Sequence, residues 1–179
     1  MRNIRSGATW MLALAAAALI GFGIAVTPAF AADQQPTNAN AAFAKLKTLV
    51  GTWEAESSKG KAVSTYELVA NGTALVEHIQ VPGESEMLTV YHLDGDHLVL
   101  THYCTAGNQP EMQAEAYDPA SNQLRFDFLR AGNLLDKNAG HMHSAVLKFT
   151  SDNSFTANWS FQEGGKIRFV ESLPYTRVK

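Results

Sequence analysis

His141, Met142 and His143 form an H-x-H triplet. His102 and Cys104 repeat its two-residue spacing at the end of another run, just before Asn108 and Gln109. In an extended chain alternate side chains share a face, with Cα atoms about 6.6–6.8 Å apart. Two imidazoles so placed can share one metal ion, and His102 or Cys104 would supply a third ligand. Zinc, copper and haem iron all accept imidazole. The same groups can hydrogen-bond a polar ligand, act as a base, or tie down loops. The compact signatures of catalysis are missing: the chain has no H-E-x-x-H, G-x-S-x-G, phosphate-binding loop or dinucleotide fingerprint. No catalytic residue is assigned on this reading, and no particular metal or cofactor is specified.

These residues must be positioned by strands. From Gly51 onward turn signals recur at short, even intervals: Lys59-Gly60, Asn71-Gly72, Pro82-Gly83, Asp94-Gly95-Asp96, 105–109, 118–122, 131–140, 151–154 and Glu163-Gly164-Gly165. Asn-Gly and Asp-Gly tolerate positive φ and favour tight hairpins. Nine turns thus separate ten strand-like runs with no helical crossover between them. The fold class this implies is all-β, a closed antiparallel meander β-barrel of about ten strands.

Alternation sorts the faces. Leu98, Leu100, His102 and Cys104 share one face, and Leu124, Phe126 and Phe128 oppose Gln123, Arg125 and Asp127. Tyr66 and Leu68 face inward if Glu67 faces water. His141 and His143 fall with Ala145, Leu147 and Phe149, so both imidazoles are expected inside, near the mouth. Small inward residues such as Ala114 and Ala116 imply an internal cavity. Leu134 and Leu135, in the longest loop, are expected to fold over its opening as a lid. The candidate ligand-binding set is therefore His102, Cys104, Asn108, Gln109, His141, His143 and Tyr66. The matching ligand is a small molecule with an apolar body and a polar group.

One short amphipathic helix precedes the strands. Asn38 or Asn40 can cap it, and Phe43, Leu46 and Val50 recur three and four apart up to about Leu49. Further upstream, Arg2 and Arg5 precede an apolar run from Met11 to Val26 and the small-x-small sequence Ala29-Phe30-Ala31. This is the pattern of a cleavable signal peptide over residues 1–31, cut after Ala31. It predicts a periplasmic or secreted mature chain, with a flexible segment over 32–39 and a barrel domain over 40–179. The net charge of −3 and the lack of any basic cluster argue against nucleic acid and membrane surfaces as partners of the mature form. A single cysteine, Cys104, excludes an internal disulfide.

Gly51-Thr52-Trp53, directly after the helix, resembles the opening of a lipocalin or fatty-acid-binding-protein barrel. In those families a Trp closes one barrel end and a basic residue of the last strand packs across it. The resemblance implies that pairing for Trp53 and Arg177 (or Arg168). HYCTAGNQPEM, GHMHSAVLKF and SFTANWSF are similar to segments of an uncharacterised family of secreted bacterial calycin-type domains. That likeness covers about Leu46 to Lys179 and implies fold and location. Nitrobindin is a more distant relation that holds haem through a His on a late strand, for which His141 or His143 would match. The sequence departs from the nitrobindin pattern after Trp53, where Glu54-Ala55-Glu56 stands in place of further glycines.

Overall fold

The computed structural model describes residues 38–114 and 117–178. The expected leader and the residues up to 37 lie outside them. A helix, α1 (Asn38–Lys47), precedes ten strands: β1 (Gly51–Ser57), β2 (Gly60–Val69), β3 (Ala74–Gln80), β4 (Met87–Asp94), β5 (His97–Tyr103), β6 (Gln109–Ala114), β7 (Gln123–Gly132), β8 (His141–Ser151), β9 (Ser154–Glu163) and β10 (Lys166–Arg177). Each strand pairs antiparallel with its neighbours in sequence, and β10 returns to β1 to close the barrel. Every one of the nine turn signals falls between two of these strands, because the local backbone need that each one meets does not depend on distant packing.

The up-and-down order sends the β1–β2, β3–β4, β5–β6, β7–β8 and β9–β10 turns to one end. At the other end lies α1, which starts at Asn38, within the segment expected to be flexible. It buries Ala39, Ala42, Phe43 and Leu46 and packs against β4 and β5. These side chains merge with Trp53, Leu98, Leu124 and Phe155 into one core cluster, so the helix plugs its end. Val50, expected on the helical stripe, is 41% exposed because the helix has ended before it. Asn38 uses its side chain elsewhere, accepting the Tyr117 N–H at 3.0 Å.

Closure at the helix end depends on three residues. The Arg177 guanidinium lies 4.1 Å from the Trp53 ring centroid. Its nitrogens donate to the carbonyls of Val50 (2.8 Å) and Thr48 (2.7 Å), which follow α1. Trp53 Nε1 donates to Leu49 O at 2.6 Å. Gly51 has φ +126°, and a Cβ there would sit 2.9 Å from an Arg177 nitrogen. The G-x-W spacing therefore has a steric cause: the glycine makes room for the cation that the tryptophan holds.

Away from this end the seam is open. β1 and β10 share only the register pairs Trp53–Arg177 and Glu54–Thr176. Val178 N–H donates to Thr52 O while Arg177 N–H points to Asn153, so even-numbered amides of this stretch face β1. The next one along is Pro174, which has no N–H to give. The ladder stops there, and the first half of β10 runs on without a β1 partner.

Arg177→Ala is expected to lower unfolding stability by about 2 kcal/mol, through loss of the stacked cation and its carbonyl bonds. Gly51→Ala should destabilise in the same way. Urea denaturation followed by tryptophan fluorescence measures both.

Candidate functional site

Period-two alternation brings polar side chains into the barrel as well as apolar ones. Tyr66 pairs in register with Glu77, Glu77 with Thr89, and Thr89 with His102. All four side chains are buried, forming a polar row across β2 to β5. Glu77 is its centre. Tyr91 donates to Glu77 Oε2 at 2.8 Å, and Ser64 Oγ lies 2.9 Å from both Glu77 Oε1 and Tyr175 Oη. A hydroxyl has one proton, so when Ser64 gives it to the carboxylate, Tyr175 donates to Ser64. Burial raises the Glu77 pKa, against the opposing hydrogen bonds from Tyr91 and Ser64. Burial and the Glu77 charge also drive the Tyr66 and Tyr91 hydroxyls well above their ordinary value. Tyr66 Oη, though fully enclosed, has no hydrogen-bond partner within 3.5 Å.

His102 ends the row. Its Nδ1 lies 2.9 Å from Thr89 Oγ1, and its ring packs on Trp159 with centroids 4.9 Å apart. Burial lowers its pKa to about 4, so the imidazole is neutral at physiological pH. It faces a gap at the turn-rich end, bounded also by Ile79, Val81, Met87, Met142, Glu171, Leu173 and Tyr175. The gap holds about 30 Å³, roughly one water. The wide internal cavity expected from the small inward residues is absent here, because Trp53, Tyr66, Tyr91, Phe126 and Phe155 fill the barrel.

The larger space lies at the open seam. A cleft of about 490 Å³ is walled by Glu56, Ser57, Ser58 and Lys59 on one side and Phe169 to Leu173 on the other, with Glu84. Glu171 and Leu173 line both the cleft and the inner gap, so these side chains border the two spaces. Lys59 forms an ion pair with Glu84. The Glu171 pKa is raised, first by burial and then by the Glu84 charge, with Lys59 opposing.

The remaining sequence candidates form a separate rim cluster. Asn108 Nδ2 donates to Gly140 O at 2.8 Å, tying the β5–β6 turn to the start of β8. His141 Nδ1–H donates to Ala139 O at 2.8 Å, which leaves Nε2 bare and 3.4 Å from His143 Nδ1. Both imidazoles pack on Phe128, with ring centroids 4.6 and 5.2 Å away. Neither lines the inner gap, whereas Met142 between them does. The cause is a bulge: Met142 pairs with Phe161 and Ser144 with Ser160, leaving His143 as an extra residue. One inserted residue shifts the alternation by which both histidines are expected inside, yet His141 is buried, 2% exposed, against Phe128, and His143 is half-buried. The charges that act on His143 include exposed Asp127 and Arg125.

Cys104 lies in the turn after β5 and is half-buried, with burial raising its thiol pKa. Gln109 opens β6 opposite Gly132. Leu135 is 93% exposed and does not fold over an opening, and Leu68 is 41% exposed past the end of the core. Among the described residues no group of three or more His, Cys, Asp or Glu side chains is arranged to hold a metal ion. Among them, too, no helix is long and apolar enough to cross a membrane. Sequence reading missed Glu77 and the seam. Glu77 alternates with Leu75 and Ile79, which marks an inward carboxylate, and Pro174 inside a strand run marks the end of a ladder.

The sequence matches no family model and no curated protein. Among solved structures it is similar to a protein of unknown function of the DUF3598 family from Nostoc punctiforme, at 7% identity and a TM-score of 0.21, over 76% of this chain and 98% of that one. The closed ten-strand antiparallel meander is the architecture that the fold itself shows.

Two pH dependences follow. The unfolded chain protonates its imidazoles near pH 6.5 and folded His102 only near 4. Between these values the unfolded state binds more protons, so stability falls as pH drops, by up to ~3 kcal/mol from this residue. His102→Gln should remove that part of the acid loss in urea titrations repeated across pH 4–7. Glu77 acts with the opposite sign. Its folded pKa is raised, so its ionisation removes stability as pH rises above the ordinary carboxylate range. Glu77→Gln should therefore gain stability relative to wild type at pH 7 compared with pH 4.

Proposed function

We propose that the protein is an exported small-molecule-binding protein whose ligand lies in the seam cleft and reaches toward the inner gap. The observation that supports this is that Glu171 and Leu173 border both spaces. The cleft has the volume of ordinary ligand sites, and one of its walls carries apolar side chains among polar and charged ones. The apolar contacts are Phe169, Val170 and Leu173, backed by Trp159 and Met142. The polar ones are His102, Glu171 and Tyr175. Of the seven ligand-binding residues expected from the sequence, His102 takes part directly. Tyr66 belongs to the polar row behind it. In this reading Cys104, Asn108, Gln109, His141 and His143 shape the loops at the same end.

Export rests on the N-terminal pattern and on the resemblance to secreted lipocalin-like domains. It predicts a mature chain that begins at Ala32. Intact-mass measurement on protein from a periplasmic extract or culture medium tests this, and a full-length chain in the membrane pellet would overturn it.

Binding is testable with Nile red, a neutral fluorophore that brightens in apolar sites. Wild-type protein should bind it one to one. Leu173→Trp, which fills the junction, should weaken binding at least tenfold, while His143→Ala should leave it unchanged. Equal binding by wild type and Leu173→Trp would move the ligand elsewhere.

A further inference from the structure

The inner gap contains a hydrogen-bonding group with nothing to bond. His102 is 3% exposed, and Thr89 occupies its Nδ1, but Nε2 makes no hydrogen bond among the described residues. The ring belongs to the wall of the gap, beside Trp159. A ligand that enters must therefore complement a neutral imidazole nitrogen.

The charges around that nitrogen are of one sign. Among the described residues lining the gap Glu171 is the one charged side chain, and it lines the cleft as well. The cleft adds Glu56 and Glu84, with Lys59 its single cation, already paired to Glu84. Behind Tyr175, Ser64 links the gap to the buried Glu77 carboxylate. Among the described residues no Lys or Arg side chain lines the gap. A fatty-acid carboxylate would meet the Glu171 carboxylate and a neutral imidazole, and the nearby cation Lys59 is already paired with Glu84. An ammonium group would meet the Glu171 carboxylate and the face of Trp159, and can give an N–H to His102.

We propose that the seam site selects a positively charged amine on an apolar body, its ammonium held between Glu171 and His102 Nε2 and its hydrocarbon along Phe169, Val170 and Leu173. The inference rests on the binding reading above and adds the chemical class of the ligand. His102 accepts through Nε2 when its proton is on Nδ1 and donated to Thr89 Oγ1. In this arrangement His102 is a specificity residue and no covalent step is involved.

The test is a matched series, octylamine, 1-octanol and octanoate, titrated calorimetrically into the mature protein at pH 7.5. Octylamine should bind at least tenfold tighter than octanol, and octanoate more weakly than either. Glu171→Gln, half-exposed in the fold, should bring octylamine down to within about threefold of octanol. If octanol binds but octylamine binds no tighter, or octanoate binds best, the charge preference is wrong and the binding site stands. If none of the three binds, both readings fall. A Glu171→Gln protein that binds octylamine as wild type does would also overturn the assignment. Should that variant not fold, the wild-type order decides the matter, together with loss of the octylamine advantage on raising salt from 50 mM to 500 mM.

Discussion

The barrel closes because one cation is held against one indole. Arg177 stacks on Trp53 and also takes up the carbonyls that follow α1, so helix, first strand and last strand meet at a single guanidinium. A β-barrel must join its first and last strands or leave two free edges. Here the join is short, two register pairs long, and the side-chain lock at its end compensates for the missing ladder. Lysine could not replace this arginine on equal terms, since a planar fork is needed to stack and to donate in two directions at once.

A short join has a second effect. Because β1 and β10 part after Glu54 and Thr176, the wall opens beside the end of the barrel remote from the helix. The interior is otherwise packed with aromatic and aliphatic side chains, and its polar row is enclosed. A buried carboxylate in such a place costs free energy that only its hydroxyl partners reduce. Tyr91 and Ser64 do this directly for Glu77, and Tyr175 extends the chain of hydroxyls to the inner gap. Fold and candidate site are thus parts of one construction: the lock permits the opening, and the polar row gives the opening its electrostatic character.

Features that arise from adjacent residues were legible in the sequence. Asn71-Gly72 and Asp94-Gly95 mark hairpins because positive φ is a local demand. Leu98, Leu100 and His102 were assigned inward by alternation, and all three are buried. The histidines of β8 show where such reading stops. The bulge at His143 exists only in relation to β9, so nothing inside H-M-H reveals it. Filling of the cavity is non-local for the same reason: Phe126, Phe155 and Tyr91 come from three distant strands. Glu77 and Pro174 differ from these. Both stood in plain alternation patterns, one as a carboxylate among inward aliphatics and the other as a proline within a strand, and their meaning needed only the question of what each group must pair with.

The unpaired half of β10 leaves the main-chain amides of Val170 and Ser172 without a neighbouring strand on the β1 side. Such a border, flanked by the exposed apolar side chains Ile167, Phe169 and Val170, is a template on which another extended chain can stack. Lys166, Arg168 and Glu171 interrupt that hydrophobic stretch with alternating charge, and Pro174 blocks its far limit. Pro174, which keeps the barrel ajar, and these charges are therefore placed as gatekeepers against the stacking of another strand on that border.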